Sequence, residues 1–242
     1  MNYFQSILFS LIQGVAEFLP ISSSGHLNLA QYFLRLTPSL TLDVFLNTAT
    51  LFSVLFFFRH KIAYFFKNLK FIIVASIPAA LVGIFLKNQV DSIFSSINLL
   101  PFFFILGSIF VFSTKLFNQK ETKLNYQKAL IIGLFQAIAI LPGVSRAGAT
   151  IFAGLFLGLS TIEAFNFSFC LFIPASIGAL VLSAKDLSTA GIFNLQYLIS
   201  FVLTFIIGVI SLTILQKVLI SKKFWIFGIY TFILALTLFF IL

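Results

Sequence analysis

Apolar residues run along this chain in blocks of about 16 to 24, separated by short polar stretches that carry most of the lysines, and such lengths suit helices crossing about 30 Å of hydrocarbon rather than short alternating strands. Six blocks qualify by length: Leu42 to Phe58, Phe71 to Leu86, Leu99 to Phe117, Phe165 to Ala184, Ile192 to Leu215 and Phe224 to Leu242. Two more apolar regions, residues 4–36 and 129–159, are each cut by a polar stretch with Pro and Gly into pieces too short to cross. The pattern predicts an all-α polytopic membrane protein with six transmembrane helices and two re-entrant helical hairpins.

Charge gives the orientation. Basic residues collect at Arg59, Lys61, Lys67 and Lys70, at Lys115, Lys120, Lys123 and Lys128, and at Lys217, Lys222 and Lys223, and all three groups are expected in the cytoplasm. The segments with Lys87 and Asp91, and with Lys185 and Asp186, are balanced and belong outside, as do both termini. The first hairpin then enters and leaves from the outer face, the second from the inner face. Independently, LIQGVAEFLPISSSG (Leu11 to Gly25) parallels LFQAIAILPGVSRAG (Leu134 to Gly148) with one residue skipped, and TLDVF (Thr41 to Phe45) parallels TIEAF (Thr161 to Phe165). Three crossings per half is an odd number, so a duplicated unit must be inverted. The expected organisation is one membrane domain, 1–242, with a first repeat at 1–117 and a second at 129–242. Broken segments in matching positions point to a site near the midplane, where the repeats meet.

Composition closes off other classes. Of the 242 residues 60% are hydrophobic and 9% charged, with mean hydropathy +1.13, which excludes a soluble enzyme and a disulfide scaffold. The net charge of +9 is read as pairing with anionic lipid headgroups, not nucleic acid. Cys170 is the one cysteine and sits in an apolar run, so it is expected to pack as a small core residue. No charged segment precedes the first apolar stretch, and residues 4–19 are expected to be retained. The 35 phenylalanines read as packing and lipid-facing surface, though grooves lined by such rings would suit an isoprenyl chain.

The chemistry concentrates in the hairpins. A charge at membrane depth costs about 2.5 to 3.5 kcal/mol on insertion scales, so Glu17 and Arg146 need a reason to be there. Gln13 and Glu17 share a helical face by their spacing, followed by Ser22, Ser23, Ser24, Gly25 and His26. Arg146 is flanked by Ser145 and followed by Gly148 and Thr150. If the tips converge, an arginine, a carboxylate, an imidazole, hydroxyls and free helix N-termini make a phosphate site. A serine beside a histidine and a carboxylate suits nucleophilic attack, with His26 in proton transfer. Asp43 and Glu163 occupy equivalent first-turn positions and are read as favourable to the helix dipole.

EFLPISSSGH (Glu17 to His26) and PGVSRAGAT (Pro142 to Thr150) resemble the two signature motifs of the undecaprenyl-diphosphate phosphatase family, the bacitracin-resistance protein type. The resemblance implies removal of one phosphate from a C55 isoprenyl diphosphate, regenerating the lipid carrier for cell-wall synthesis, at the bacterial cytoplasmic membrane. It implies a divalent cation, magnesium or calcium, at Gln13 and Glu17. Ser23, His26, Glu17 and Arg146 become the expected catalytic set, and Ser145, Arg146, Thr150, Gly148 and Ser24 the expected substrate contacts. Gln13 stands where many relatives have glutamate, and Ala147 where a serine is common. The nucleophile is left open among Ser23, His26 and water. Expected partners are the isoprenyl diphosphate and membrane lipids, with homodimerisation left open. A secondary transporter or flippase for a phosphorylated lipid is the alternative, because carriers share this architecture.

Overall fold

A computed structural model describes residues 2–36, 40–117, 121–184, 187 and 194–242. Lys120, Lys185, Asp186 and the expected start of the fifth span at Ile192 lie outside them. Among the described residues there are helices and no strands, several of them strongly apolar, as in a membrane protein.

The helices are α1 (Tyr3–Ala16), α2 (Ser23–Phe33), α3 (Leu40–Phe57), α4 (Ile62–Lys67), α5 (Leu69–Phe85), α6 (Lys87–Ser95) and α7 (Leu100–Ser113). The second half holds α8 (Tyr126–Ile138), α9 (Arg146–Phe156), α10 (Thr161–Leu182), α11 (Leu195–Ile220) and α12 (Ile226–Ile241). Side-chain caps set many of the starts. Asn2, Asn125, Ser145, Ser160 and Asn194 each accept an amide from the first turn that would otherwise be unpaired. The Ser160 cap explains why α10 begins at Thr161, ahead of the apolar run at Phe165. No Pro or Gly follows Leu215 until after the turn at Ser221, so α11 runs on to Ile220. That turn is made by Lys222 in the left-handed region at φ 58°.

Both broken regions are broken where expected. α1 and α2 are 14 and 11 residues, about 21 and 16 Å long, and neither alone crosses the hydrocarbon. The same holds for α8 with 13 residues and α9 with 11. Three described helices are long and apolar enough to cross a membrane: Ile97–Leu116 (α7 with its flanking turns), Thr161–Leu182 and Leu195–Ile220. Two more qualify as bent pairs, Leu42–Phe57 with Arg59–Lys67 at 60° and Leu69–Phe85 with Asn88–Ser95 at 75°. α12, at 16 residues, is shorter.

Packing follows an exchange between halves. α1 lies along α11 while α8 lies along α5, and α3 packs on α10 and α7 on α12. Small residues permit the close approach: a Cβ at Gly14 would sit 2.7 Å from Ile207, and one at Gly133 would fall onto the Ala75 carbonyl oxygen. Beneath the broken regions Phe18, Phe58, Phe165, Phe169 and Phe172 form the main core, where ring faces and edges meet at 4.9 to 6.3 Å. Facing outward are rings and branched chains such as Phe85 and Phe240, the latter 90% exposed, as a lipid-facing surface requires.

Candidate active site

Each broken region ends in a tight turn and restarts a helix, and the two restarts meet. Ser22 caps α2, accepting from the Gly25 N–H at 3.3 Å, and its Oγ also accepts from the Gly143 N–H of the other tip at 3.0 Å. The junction is conformationally demanding. Ser22 holds φ 71°, a left-handed value uncommon outside glycine, and Gly143 holds φ 100° with Phe103 and Phe104 too close for a side chain. Strain held in place by a cross-tip hydrogen bond marks a spot where geometry is prescribed. Ser145 is the counterpart of Ser22, capping α9 through the Gly148 N–H at 3.1 Å.

The first residue of each restarted helix therefore faces the same point. Ser23 opens α2, and its Oγ–H donates to Glu17 Oε2 at 2.6 Å. Arg146 opens α9, and its Nη2 donates to Glu17 Oε1 at 3.3 Å, the one ion pair among the described residues. Gln13 Nε2 donates to Glu17 Oε2 at 3.1 Å from one turn earlier on α1. The guanidinium lies on ring faces, 4.2 Å from Phe172 and 5.4 Å from Phe169, and donates through Nη1 to the Ser168 carbonyl at 3.3 Å. Flat support on two rings fixes the fork while leaving its remaining donors available.

These groups line a cavity of about 320 Å³. Gln13, Glu17, Ser23, Ser24, Ser145 and Arg146 all face it, so six of the residues expected from sequence come together. Three do not reach it. Thr150 is buried one turn below Arg146, its hydroxyl shared with Ser168 Oγ at 2.6 Å and the Arg146 carbonyl at 2.8 Å. Gly148 spends its N–H on the Ser145 cap and packs against Val111 and Pro20. His26 sits behind the tip: Nδ1 meets the Ser22 carbonyl at 2.8 Å, Nε2 meets Tyr230 Oη at 2.9 Å, and the ring stacks on Tyr230 and edges onto Phe104. It ties the first tip to α12.

Other lining residues were not expected as contacts. Asp43 and Asn47 of α3 form one wall, with Gln31 donating to Asp43 at 3.5 Å. Glu163, the counterpart of Asp43, instead accepts from Tyr64 Oη at 2.7 Å, beside a Lys61–Asn166 hydrogen bond. Phe172, Ala175, Ser176 and Ala179 of α10 form another wall, and Val90 and Phe94 of α6 add apolar lining. The spacing of Ser168, Phe172 and Ser176 on one helical face was a readable signal, but nothing in the sequence says which partner that face meets.

A carboxylate hydrogen-bonded to a serine, opposite a ring-supported guanidinium at a helix N-terminus, can activate the hydroxyl and hold a phosphoryl group against it. Comparison with known proteins points the same way. The family model "Bacitracin resistance protein BacA" matches residues 6–237. The undecaprenyl-diphosphatase of Thermosipho africanus (strain TCF52B) is 40% identical over 250 residues, covering 97% of this chain and 98% of that protein. That of Methanococcus vannielii is 36% identical over 246 residues, covering 96% and 97%. That of Methanobrevibacter smithii is 36% identical over 270 residues, covering 99% and 97%.

Proposed function

From the premise that the chain belongs to the bacitracin resistance protein BacA family, we propose that it is a membrane phosphatase that hydrolyses undecaprenyl diphosphate to undecaprenyl phosphate and inorganic phosphate. The observation that carries the reading is the shared carboxylate: Glu17 accepts from Ser23 of one tip and Arg146 of the other.

In the mechanism this supports, the terminal phosphate lies between Ser23 and Arg146. Glu17 takes the Ser23 proton as Oγ bonds to phosphorus, the phosphoanhydride P–O bond breaks, and the lipid monophosphate leaves with the electron pair. Water then attacks the phosphorus of the seryl phosphate, and the Oγ–P bond breaks with its electron pair going to Oγ, which takes its proton back from Glu17. Inorganic phosphate leaves with the oxygen and protons of the water. Arg146 offsets the charge on the phosphoryl oxygens throughout. His26 is assigned to anchoring the tip, because its two ring nitrogens face the Ser22 carbonyl and Tyr230.

For the divalent cation implied by the family likeness, the donor set suits a hard ion that takes most of its oxygens from the substrate. Glu17 and Asp43 are the two carboxylates on the cavity wall, and Gln13 adds a neutral amide oxygen. Among the described residues no group of three His, Cys, Asp or Glu forms a metal cage, so a magnesium or calcium ion here would draw on Glu17, Asp43 and Gln13 together with the substrate. Such an ion would supply charge neutralisation to the diphosphate.

The architecture we propose is one membrane domain of two inverted repeats, 1–117 and 129–242, with six spans, hairpins entering from opposite faces, and the termini outside the cytoplasmic membrane. The exchange of α1 on α11 for α8 on α5 supports it. The activity test is phosphate release from a C55 or C15 diphosphate by purified protein in detergent. Ser23→Ala is expected to lower kcat by about 10²-fold or more with the melting temperature retained, and Arg146→Ala to lower kcat as much while also lowering the melting temperature, because Glu17 loses its counter-charge. Unaltered turnover in both would overturn the site.

A further inference from the structure

Helical hydroxyls in this protein bond back to their own helix as a rule. Ser6, Ser10, Thr48, Ser53 and Ser76 each donate to the carbonyl four residues earlier, the usual outlet where water does not compete. Ser176 departs from this. It is 5% exposed, its Oγ has no hydrogen-bond partner, and it lines the cavity that contains Glu17, Ser23 and Arg146. A buried hydroxyl with no acceptor of its own, on a residue that lines a cavity, calls for a ligand acceptor.

Its position says which acceptor. Ser176 is one turn beyond Phe172, the ring that carries the Arg146 guanidinium, a rise of about 6 Å along α10. One turn further along α10 comes Ala179, and Val90 and Phe94 of α6 line the same cavity. The order along α10 is thus the ring that carries the guanidinium, one unpaired hydroxyl donor, then an apolar residue. A lipid diphosphate has the same order: terminal phosphate, retained phosphate, hydrocarbon. Resting on the phosphatase reading, we propose that Ser176 is a phosphate-binding residue that donates its Oγ–H to the phosphate remaining on the lipid, in substrate and in product alike. Asn47 faces the same section from α3.

A contact made to substrate and to product alike contributes ground-state binding, so its loss raises KM, and because the retained phosphate gains charge as it leaves, kcat falls by a smaller factor. For Ser176→Ala we expect KM for the C15 or C55 diphosphate to rise roughly tenfold, the scale of one hydrogen bond to a charged group, with a smaller fall in kcat. Inhibition by the matching isoprenyl monophosphate weakens by the same factor, while inhibition by inorganic phosphate, which competes for the Ser23 and Arg146 end, is unchanged. Ser176→Thr restores KM and Ser176→Val does not, which separates the hydroxyl from the volume. Unchanged KM and monophosphate inhibition in the Ala and Val variants of an active protein overturn this inference alone. An equal loss of inorganic phosphate inhibition also overturns it. Wild-type protein that releases no phosphate overturns the phosphatase reading instead.

Discussion

At the scale of single residues the site is organised by one carboxylate. Glu17 holds Ser23, Gln13 and Arg146 on its two oxygens, so removing its charge has two consequences. Glu17→Gln cannot take the Ser23 proton, and it leaves a guanidinium, only 14% exposed, without a counter-charge. Phosphate release should fall by about 10²-fold or more. Thermal melting should drop as well, and Arg146→Gln added to Glu17→Gln should recover part of that loss, with a coupling of about 0.5 to 3 kcal/mol. His26 makes the contrasting case. Tyr230→Phe keeps the stacked ring but removes the Oη contact to Nε2, and if His26 only steadies the tip, Tyr230→Phe and His26→Ala should both lower kcat by about tenfold or less. A loss of about 10² to 10⁴ for His26→Ala alone would mean that the imidazole itself carries the proton. Glu17 and Arg146 were legible from sequence because charges in apolar stretches are expensive and therefore conspicuous, while Ser23 was singled out from its neighbouring serines only by the resemblance to the family motif. Thr150 and Gly148 share that motif yet serve underneath it, since a motif records which residues occur together and not which way a helix turns them. Asp43 with Asn47, and Ser168 with Ser176, sit at helical spacings that can be read, but the spacing does not say what those faces meet, and each becomes a cavity wall only through the packing of α3 and α10 across the hairpins.

At the scale of elements, the interruptions in the hairpins and the starts of α8, α10 and α11 follow from Pro, Gly and capping residues that can be read directly. The bends could not be read that way. The basic stretch after α3 is a turn and a short helix because Tyr64 reaches Glu163 on α10 and Lys61 reaches Asn166, contacts about one hundred residues away in sequence. Helix separation is likewise a tertiary property, and two glycines make opposite predictions about it. Gly133 lies against the α5 backbone at Ala75, so Gly133→Ala must push α8 away and should cost about 1 to 3 kcal/mol. Gly83 faces open space, so Gly83→Ala removes only backbone freedom and should leave stability unchanged or raise it by up to about 1 kcal/mol. Melting of the two variants in the same detergent checks both. Equal shifts would mean that α5 and α8 are not in backbone contact.

At the scale of the whole molecule, the charge pattern and the internal repeat each predict inversion, and they are independent of each other. The packing adds a third argument, since a two-fold exchange of halves maps the α1–α11 contact onto α8–α5 and leaves α3–α10 and α7–α12 paired with themselves. Span counting by length is a weaker guide, because α12 is short and two spans are bent, so orientation has to be read from the loops. Cys170 is buried and can be replaced by alanine, giving a background without thiols. Single cysteines at Lys70, Lys123 and Lys222, all exposed in the basic segments, should react with a membrane-impermeant maleimide from one face of sealed vesicles. Cysteines at Asn2 and Asn88 should react only from the other. If any of the three basic positions labels from the same face as Asn88, the odd number of crossings per half fails. With it fails the proposal that the two tips enter from opposite leaflets to bring Ser23 and Arg146, the first residues of two short helices, onto one carboxylate.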